Sequence, residues 1–458
     1  MKVIICGAGQ VGEGIAERLA AEGNEVSIVD SSANLVQRVN DMLDVRAIHG
    51  HGAHPDILAQ AGAGEADMII AVTRYDEVNM VACQVAHSLF DIPTKIARLR
   101  SQSYLKKEWS RLFSRQHMPI DFIISPEMEV GEMVMRRLAL PGAFETVSFA
   151  EGRVSVVGVS CGADCPVIDT PLRQLSDLFP DLPAVVVAIA RQNRLFVPHS
   201  DDQLMDGDDA YVVAPKTQVA RVLQIFGHEE SRARRIIIAG GGNIGLYVAR
   251  AVEARESNMR VKILESSKER AVEIAERLDR TVILHGSSLS EELLREADAM
   301  SADIIMALTH NDQVNILTSV LAKQLGCERS LCLTNNAGYA KIIRSLGIDA
   351  HINPRAITVS RILQHVRRGR IRGVHSIHNG AGEVVEAEAL ETAPVVGRRL
   401  RDLGLSEGIR FGAILRNDEI IIPNGDTELE NKDRVILFAT SQQIKEVEQL
   451  FRVSLEYF

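Results

Sequence analysis

The sequence predicts an α/β protein with two doubly wound parallel-sheet lobes, each followed by a smaller α+β lobe. The first observation is a glycine-rich turn present twice, at residues 7–12 and 240–245, each after a strand-like apolar run. The second is a regular alternation of strand and helix patterns after both turns. The third is that the two halves repeat one another, as one unit of about 230 residues used twice.

The strand patterns of the first half are short apolar runs bounded by turn residues. They lie at 2–6, 26–30, 45–48, 68–72, 95–99 and 122–124. Residues at helical spacing separate them, and one such helix is predicted over 104–113. A β-α-β order requires right-handed crossovers and a parallel sheet with helices on both faces. Ligands then bind beyond the carboxyl ends of the strands, where the strand order reverses.

Both turns have the G-x-G-x-x-G spacing of the Rossmann dinucleotide-binding fold. The three glycines, Gly7, Gly9 and Gly12 in the first copy, allow the tight turn, the approach of a pyrophosphate and close helix packing. The helix that follows presents free N–H groups and a positive dipole end to phosphates. The next strand ends in an acid, Asp30 or Glu265, which can accept hydrogen bonds from both ribose hydroxyls. An acid also repels a 2′-phosphate, so NAD(H) is favoured over NADP.

The repeat extends beyond the turns and supplies further candidate nucleotide-binding residues at the ends of the other strands. In the first half the candidates are Gly7, Gly9, Gln10, Val11, Gly12, Asp30, Ser31, Gly50, His51, Thr73, Asp76, Asn79, Arg98 and Arg100. In the second half they are Gly240, Gly242, Asn243, Ile244, Gly245, Glu265, Gly286, Ser287, Thr309 and Asp312.

The two candidate sites differ at the fifth strand. Arg98 and Arg100 alternate along its end in the first half, where either could form a bidentate contact to a terminal phosphate. The alternative is a pair of surface arginines on a sheet edge. The second half reads Leu-Cys-Leu-Thr-Asn at residues 331–335 and lacks both arginines, and Arg355 stands where Glu127 stands in the first half. We therefore expect the two sites to bind nucleotides unequally.

Apolar residues at helical spacing follow the sixth strand of each half, at 129–140 and 356–366. A helix that leaves a completed sheet plausibly buries this face on a neighbouring lobe, and packing within its own lobe is the alternative. The domains expected from these patterns are two Rossmann-like domains at 1–140 and 234–366, and two small domains at 143–226 and 372–455. The apolar face also suggests a homo-oligomer.

Composition excludes several classes of protein. The net charge of −10 argues against a nucleic-acid partner. No apolar run approaches the ~20 residues of a membrane helix, and the first residues lack the pattern of a signal peptide, so we expect a cytoplasmic protein. Basic clusters at 234–235 and 367–372 are interpreted as a linker and a solvated helix end, with a phosphate or lipid patch as the alternative.

Cysteines and histidines do not indicate a metal centre. The six cysteines include no C-x-x-C pair, and Cys161 and Cys165 are interpreted as two free thiols. His49, His51 and His54 have the spacing of metal ligands, but no cysteine or carboxylate pair completes a zinc set. We expect no metal site. A P-loop is also absent, and neither small lobe offers an acid–base pair for hydride transfer, so two nucleotide sites without a reaction centre suggest sensing.

The whole chain resembles the TrkA family of Trk potassium-uptake regulatory proteins, which carry two tandem RCK (regulator of potassium conductance) units. The resemblance rests on the paired turns with Asp30 and Glu265, on 71–73 with Asp76 and Asn79 and their second copy, on 96–98, and on 125–127. It implies that each unit is a Rossmann-like RCK lobe followed by a small RCK C-terminal lobe, and that no residue is catalytic.

The resemblance also implies partners and ligands. The family forms a cytoplasmic ring, here a homotetramer, peripheral on the cytoplasmic face of the cell inner membrane. It attaches to a TrkH-like membrane potassium channel subunit, and NAD(H), ATP and ADP bias the gating of that subunit. Two alternatives remain at this point: an NAD-dependent oxidoreductase with duplicated Rossmann domains, and a nucleotide-dependent scaffold without a channel partner.

Overall fold

The computed structural model describes residues 1–192, 194–229, 231–366 and 371–452. These residues form two compact units, and each unit takes residues from both halves of the chain. The Rossmann unit comprises residues 1–132 and 234–366, and the small-lobe unit comprises the described parts of 133–233 and 367–458. Residues 367–370 of the second basic cluster and the predicted domain end at 453–455 lie outside the described residues.

The first Rossmann-like lobe contains six parallel strands and four helices. The strands are β1 (Lys2–Cys6), β2 (Glu25–Asp30), β3 (Arg46–His49), β4 (Met68–Ala71), β5 (Thr94–Arg98) and β6 (Phe122–Ile124). The helices are α1 (Gln10–Ala21), α2 (Ala33–Met42), α3 (Pro55–Gln60) and α4 (Asp76–Phe90). The strand order β3-β2-β1-β4-β5-β6 reverses between β1 and β4, as a doubly wound sheet requires.

One predicted helix of this lobe is wrong in type. Residues 104–113 were expected to form an α-helix, and the structure shows only a short 3₁₀ helix at Lys107–Phe113. None of the seven residues of this helix is buried, and Trp109 is largely exposed. Because most helical stability in proteins comes from burying an apolar face, this segment lacks the packing that would extend it.

The chain continues through α5 (Pro126–Ala139) into the first small lobe. Its strands are β7 (Ala143–Phe149), β8 (Val154–Ser160), β9 (Val185–Arg191), β10 (Arg194–Phe196) and β11 (Asp209–Pro215), with helices α6 (Leu172–Leu178) and α7 (Val219–Ile225). The strands pair in antiparallel fashion in the order β10-β9-β11-β8-β7. The second half repeats both sheets.

The second Rossmann-like lobe has the strand order β14-β13-β12-β15-β16-β17. Its strands are β12 (Arg235–Ala239), β13 (Arg260–Glu265), β14 (Val282–His285), β15 (Ile304–Ala307), β16 (Arg329–Leu333) and β17 (Ala350–Ile352). Its helices are α8 (Asn243–Arg255), α9 (Lys268–Ala275), α10 (Glu291–Glu296), α11 (Asp312–Gln324) and α12 (Ala340–Ser345), and α13 (Pro354–Val366) follows the last strand.

The second small lobe is again a five-stranded antiparallel sheet. It consists of β18 (Ile371–Ile377), β19 (Gly382–Glu388), β20 (Ile409–Arg416), β21 (Glu419–Ile421) and β22 (Arg434–Thr440), with α14 (Ile444–Leu450). Each small lobe buries an arginine–aspartate pair: Arg191 with Asp208, and Arg416 with Asp433, both with an N–O distance of 2.7 Å. The pairs occupy matching positions in the two lobes.

Helix α13 packs on the first Rossmann-like lobe, although it follows the sheet of the second. Val359, Ile362, Leu363 and Val366 of α13 belong to one buried cluster with residues of α1, including Ile15. Helix α5 makes the reciprocal contact, since Gly131 lies against the Tyr247 ring of α8. The expectation that these helices pack on a neighbouring lobe is confirmed for α13 by this shared cluster, and α5 contacts α8 of the other lobe through Gly131 and Glu132.

The burial of α5 also removes one reason for expecting an oligomer. Val130 and Val134 of its apolar face are fully buried within the single chain. This face therefore offers no free surface to a second copy.

We predict that Ile362→Ala lowers the free energy of unfolding by about 2–5 kcal/mol, because it leaves a cavity in the first lobe's core. Hydrogen exchange should show lost amide protection in β1 and α1. Val272→Ala, at an exposed position of α9, is the control and should change stability by less than about 0.5 kcal/mol. Amide protection lost only in the second half would contradict the packing of α13 on the first lobe.

Candidate nucleotide-binding sites

The first glycine turn requires glycine at two positions for steric reasons. Gly7 has φ of +112°, and its N–H donates to the Val29 carbonyl at 2.7 Å, which carries the chain away from β1. A Cβ on Gly12 would lie 1.8 Å from the Gly7 carbonyl oxygen. Only glycine allows α1 to start this close to the turn.

The second turn has the same geometry. Gly240 has φ of +107°, and a Cβ on Gly245 would lie 2.0 Å from the Gly240 carbonyl oxygen. The two turns are therefore structural equivalents as well as sequence repeats.

The middle glycine of each turn has a different environment. Gly9 and Gly242 are the N-cap residues of α1 and α8, both in extended conformation, and no atom lies within 4 Å of a Cβ placed on either. The structure itself therefore does not require glycine there, whereas a phosphate approaching the backbone would. Gln10 and Asn243, the first helical residues, are exposed beside this open space, followed by Val11 and Ile244.

The acid at the end of the second strand links the turn to the next helix. Asp30 accepts hydrogen bonds from the Ala8 N–H at 2.7 Å and the Ser32 N–H at 2.8 Å. Glu265 accepts from the Gly241 N–H at 2.7 Å and the Ser267 N–H at 2.8 Å. A carboxylate oxygen has a second lone pair, so each acid can hold the backbone and still accept from a ribose hydroxyl.

Asn79 joins the ends of β4 and β5. It is fully buried, its carbonyl accepts from the N–H and hydroxyl of Thr73, and its amide donates to the carbonyls of Thr73 and Arg98. Asp76 accepts from the N–H groups of Arg100 and Ser101. Both side chains hold the loops of the site, and Asn79 presents no surface to a ligand.

The second lobe repeats this framework. Asn315 bonds to Thr309 and to the Leu333 carbonyl, and Asp312 accepts from the N–H groups of Asn335 and Asn336. Thr73 and Thr309 thus lie at equivalent places in the two sites.

The two arginines of β5 have different environments. Arg98 donates from Nη2 to the Thr73 carbonyl at 2.9 Å, and its Nε is buried without a hydrogen-bond partner. Burial, and next the charge of Arg100, lower the pKa of Arg98. Arg100 instead donates from Nε to the buried Glu127 carboxylate at 3.0 Å. Strand β6 pairs with β5, so β5 is not the edge strand of the sheet, but the Arg100 side chain is exposed, as the alternative of surface arginines expects.

The second site has no comparable cation at the carboxyl end of its fifth strand, where residues 333–335 are Leu, Thr and Asn. Leu333 is buried, and the Asn335 amide donates to Asp312 at 3.2 Å. Arg355, which aligns with Glu127, lies in the other lobe: a Cβ on Gly14 of α1 would be 3.3 Å from its Nη2. The difference between the halves that the sequence predicts therefore appears in the described side chains.

The loop after the third strand borders each site. A Cβ on Gly50 would lie 2.6 Å from Ile57 Cδ1, and the His51 ring stacks on the His54 ring at 4.5 Å. His49 Nε2 lies 3.1 Å from the carbonyl of Ser31, the next residue after Asp30.

The corresponding loop of the second lobe contains Gly286 and Ser287. Gly286 has φ of +154°, and the exposed Ser287 accepts the Leu289 N–H. Among the described residues, no group of three or more His, Cys, Asp or Glu side chains could hold a metal ion.

Arg270 is a site residue that the sequence reasoning missed. Its Nε donates to the Gly241 carbonyl at 2.8 Å, Nη1 pairs with Glu273, and Nη2 is buried without a partner. The guanidinium therefore lies across the second glycine turn. Its position five residues after Glu265, where the first half has Leu35 after Asp30, is the signal that identifies it.

None of the helices in the described part of the chain has the length and apolar character that crossing a bilayer demands.

Comparisons with known proteins agree with this architecture. The TrkA-N domain model matches residues 3–126 and 236–354, and the TrkA-C domain model matches 156–227 and 384–452. The Trk system potassium uptake protein TrkA of Azorhizobium caulinodans is 62% identical over 458 residues, which is 100% of both chains. That of Vibrio alginolyticus is 38% identical and covers 99% of both. The chain belongs to the TrkA family.

Solved structures confirm the fold class of this TrkA-family chain. The GsuK RCK domain matches with a TM-score of 0.62 and 17% identity, over 98% of this chain and 94% of that one. The GsuK channel bound to NAD matches with a TM-score of 0.62 and 17% identity, over 98% and 78%. Family membership makes the chain a non-enzymatic regulatory protein of potassium uptake, so the oxidoreductase alternative is wrong.

We predict different effects for two glycine substitutions in one turn. Gly12→Ala should lower the melting temperature, because its methyl group would overlap the Gly7 carbonyl. Gly9→Ala should leave the melting temperature near that of the wild type and weaken nucleotide binding, because the methyl group enters open space beside the helix start. Calorimetry with NADH and thermal unfolding measure both. A Gly9→Ala variant that binds NADH as the wild type does would contradict the phosphate-binding role of this turn.

Proposed function

We propose that this chain is a nucleotide-sensing regulatory subunit that gates a membrane potassium channel or transporter. Its ligands are NAD(H) and the adenine nucleotides ATP and ADP. The observation that carries the proposal is the pair of glycine turns, in which Gly9 and Gly242 face open space at helix N-termini. Such helix starts bind phosphates through free N–H groups and the helix dipole.

Different residues of each site would bind different parts of the nucleotide. The turn and the first N–H groups of α1 or α8 would bind the pyrophosphate, and Asp30 or Glu265 would accept from the ribose hydroxyls. The loops with His51 and Ser287 would border the adenine. Asn79 and Asp76 act indirectly, because they hold Thr73 and the ends of β4 and β5 in place.

The first site would favour ligands with a terminal phosphate. Arg98 has a buried Nε without a partner, so a phosphate oxygen could satisfy a donor that the folded protein leaves open. Arg100 is engaged by Glu127 and would contribute less. The second site has Leu333 and Asn335 at the corresponding strand end, so NAD(H) would suit it better than ATP.

Several expectations from the sequence belong to this proposal. The domains would be 1–140, 143–226, 234–366 and 372–455. The chain would form a homotetramer on the cytoplasmic face of the inner membrane, bound to a TrkH-like channel subunit. Support comes from similar proteins: a Trk system potassium uptake protein TrkA is 62% identical, and proteins of similar fold include a GsuK channel bound to NAD and a GsuK structure bound to ADP.

Gating would follow if the nucleotide binds the open and the closed assembly with unequal affinities. A ligand shifts a conformational equilibrium only by as much as it binds one state better than the other. A coupling of about 1–3 kcal/mol would change channel opening about 5- to 150-fold. The nucleotide would therefore need to contact groups whose positions differ between the open and closed assemblies.

Potassium flux through the reconstituted complex with its membrane partner tests the proposal. Flux should change when NADH, ATP or ADP is added, and the response should vanish in the Gly9→Ala/Gly242→Ala variant. Gly64→Ala is the matched control, because a Cβ there also meets no atom within 4 Å and lies outside both turns. Flux that ignores nucleotides in the wild type would overturn the gating proposal.

We predict that Arg98→Ala weakens ATP and ADP binding to the first site about 10- to 100-fold, the range expected for losing a charge-assisted contact. NADH should lose less, because its phosphates lie at the glycine turn. Arg98→Lys retains the charge and should recover part of the ATP affinity. Calorimetry with the three ligands measures this, and an equal loss for all three would contradict selection of the terminal phosphate.

A further inference from the structure

Helices α5 and α13 contact the opposite lobes at equivalent positions of the repeat. In one contact the lobe supplies the glycine and the helix the larger residue, and in the other contact the lobe supplies the larger residue and the helix the glycine. In the repeat, Gly14 of α1 corresponds to Tyr247 of α8, and Gly131 of α5 corresponds to Val359 of α13. Gly14 faces Val359, with 3.3 Å between an added Cβ and Val359 Cγ2. Tyr247 faces Gly131, with 2.2 Å between an added Cβ and Tyr247 Cδ1. Each contact therefore joins one glycine to one larger side chain.

The charges around the Tyr247 contact are also specific to this pairing. Glu132 of α5 accepts a hydrogen bond from the Tyr247 hydroxyl at 2.5 Å and pairs with Arg255 of α8 at 2.7 Å. Burial and the hydrogen bond to Glu132 raise the pKa of Tyr247 to about 12, so its hydroxyl remains a donor at neutral pH. The residue that corresponds to Arg255 in the first half is Glu22, the C-cap residue of α1.

Two copies of the chain could in principle pair first half with first half, or second half with second half. The same residues disfavour both pairings. A first half paired with another first half would place Gly131 against Gly14 and leave a gap, with Glu132 opposite Glu22. A second half paired with another second half would place Val359 against Tyr247, where even an added Cβ at the glycine position overlaps the ring. Overpacking, voids and apposed like charges all destabilise a contact.

We infer that these helix faces are a pairing surface whose partner is the opposite half of the chain, and that their size and charge pattern rejects the like half of a second copy. Gly131 and Gly14 leave space that Tyr247 and Val359 occupy. Glu132 pairs with Arg255 of the second half, and this charge pairing disfavours a first-half lobe as the partner of α5. This role is independent of any nucleotide.

A double-mutant cycle at residues 131 and 247 in the full chain tests the contact. Alanine ordinarily stabilises a helix interior relative to glycine, whereas Gly131→Ala should lower the unfolding midpoint by about 3–10 °C because its methyl group overlaps the ring. Adding Tyr247→Ala should recover most of that loss. Gly64→Ala is the control for glycine replacement. A stabilising Gly131→Ala, or additive effects of the two changes, would overturn the inference.

The choice of partner is tested by giving the first lobe the surface of the second. In Gly14→Tyr/Glu22→Arg, Val359 can no longer pack on α1, and the lobe now resembles the partner that α5 prefers. Light scattering should show a larger mass than that of the wild type, and this mass should rise with protein concentration. Adding Val359→Gly makes room for the introduced tyrosine side chain and should lower the mass again. An unchanged mass and an unchanged unfolding midpoint would show that these positions do not select the partner.

Discussion

The exchange of α5 and α13 between the Rossmann-like lobes is the constraint on which the rest of the structure depends. Each lobe ends its sheet with a sixth strand, and the helix that follows is bound by the other lobe. Ile15 and Leu19 of α1 are buried in one cluster with residues from more than 300 positions later in the chain. The first lobe therefore does not complete its core without α13 of the opposite half.

This constraint relates the two nucleotide sites to each other. Helix α1 starts at the first glycine turn, and along the same helix Gly14 lies against Val359 and Arg355 of α13. Helix α8 starts at the second turn and carries Tyr247. A ligand that moves the start of either helix would act on the contact between lobes through a rigid element. The described packing thus offers a physical route from phosphate binding to lobe spacing.

The symmetry of the backbone contrasts with the asymmetry of the side chains. Both sites share the glycine turn, the acid that bonds to it, and the buried asparagine that joins two strands. They differ at Arg98 and at Arg270, each of which has a buried nitrogen without a partner in its own site. The two halves therefore share one framework and differ in the cations that, under the proposed function, would discriminate between nucleotides.

Sequence patterns were sufficient for features determined by local chemistry. The turns were predictable because Gly7 and Gly240 adopt positive φ, and the strands because their residues are buried on both sides. The exchange of the helices appeared only as one of two alternatives, since an apolar face does not specify its partner. The different roles of Arg98 and Arg100 were not predictable, because they depend on Glu127, which α5 brings to the end of β5.

Counting bound nucleotides per chain tests the central claim most directly, that one chain holds two framework-equivalent but chemically unequal sites. Native mass spectrometry of the full-length protein with increasing NADH or ATP resolves each ligand bound. We expect up to two NADH per chain and, over the range that fills the tighter site, one ATP. Equal numbers of ATP and NADH would contradict the inequality of the sites, and binding of neither would contradict the account as a whole.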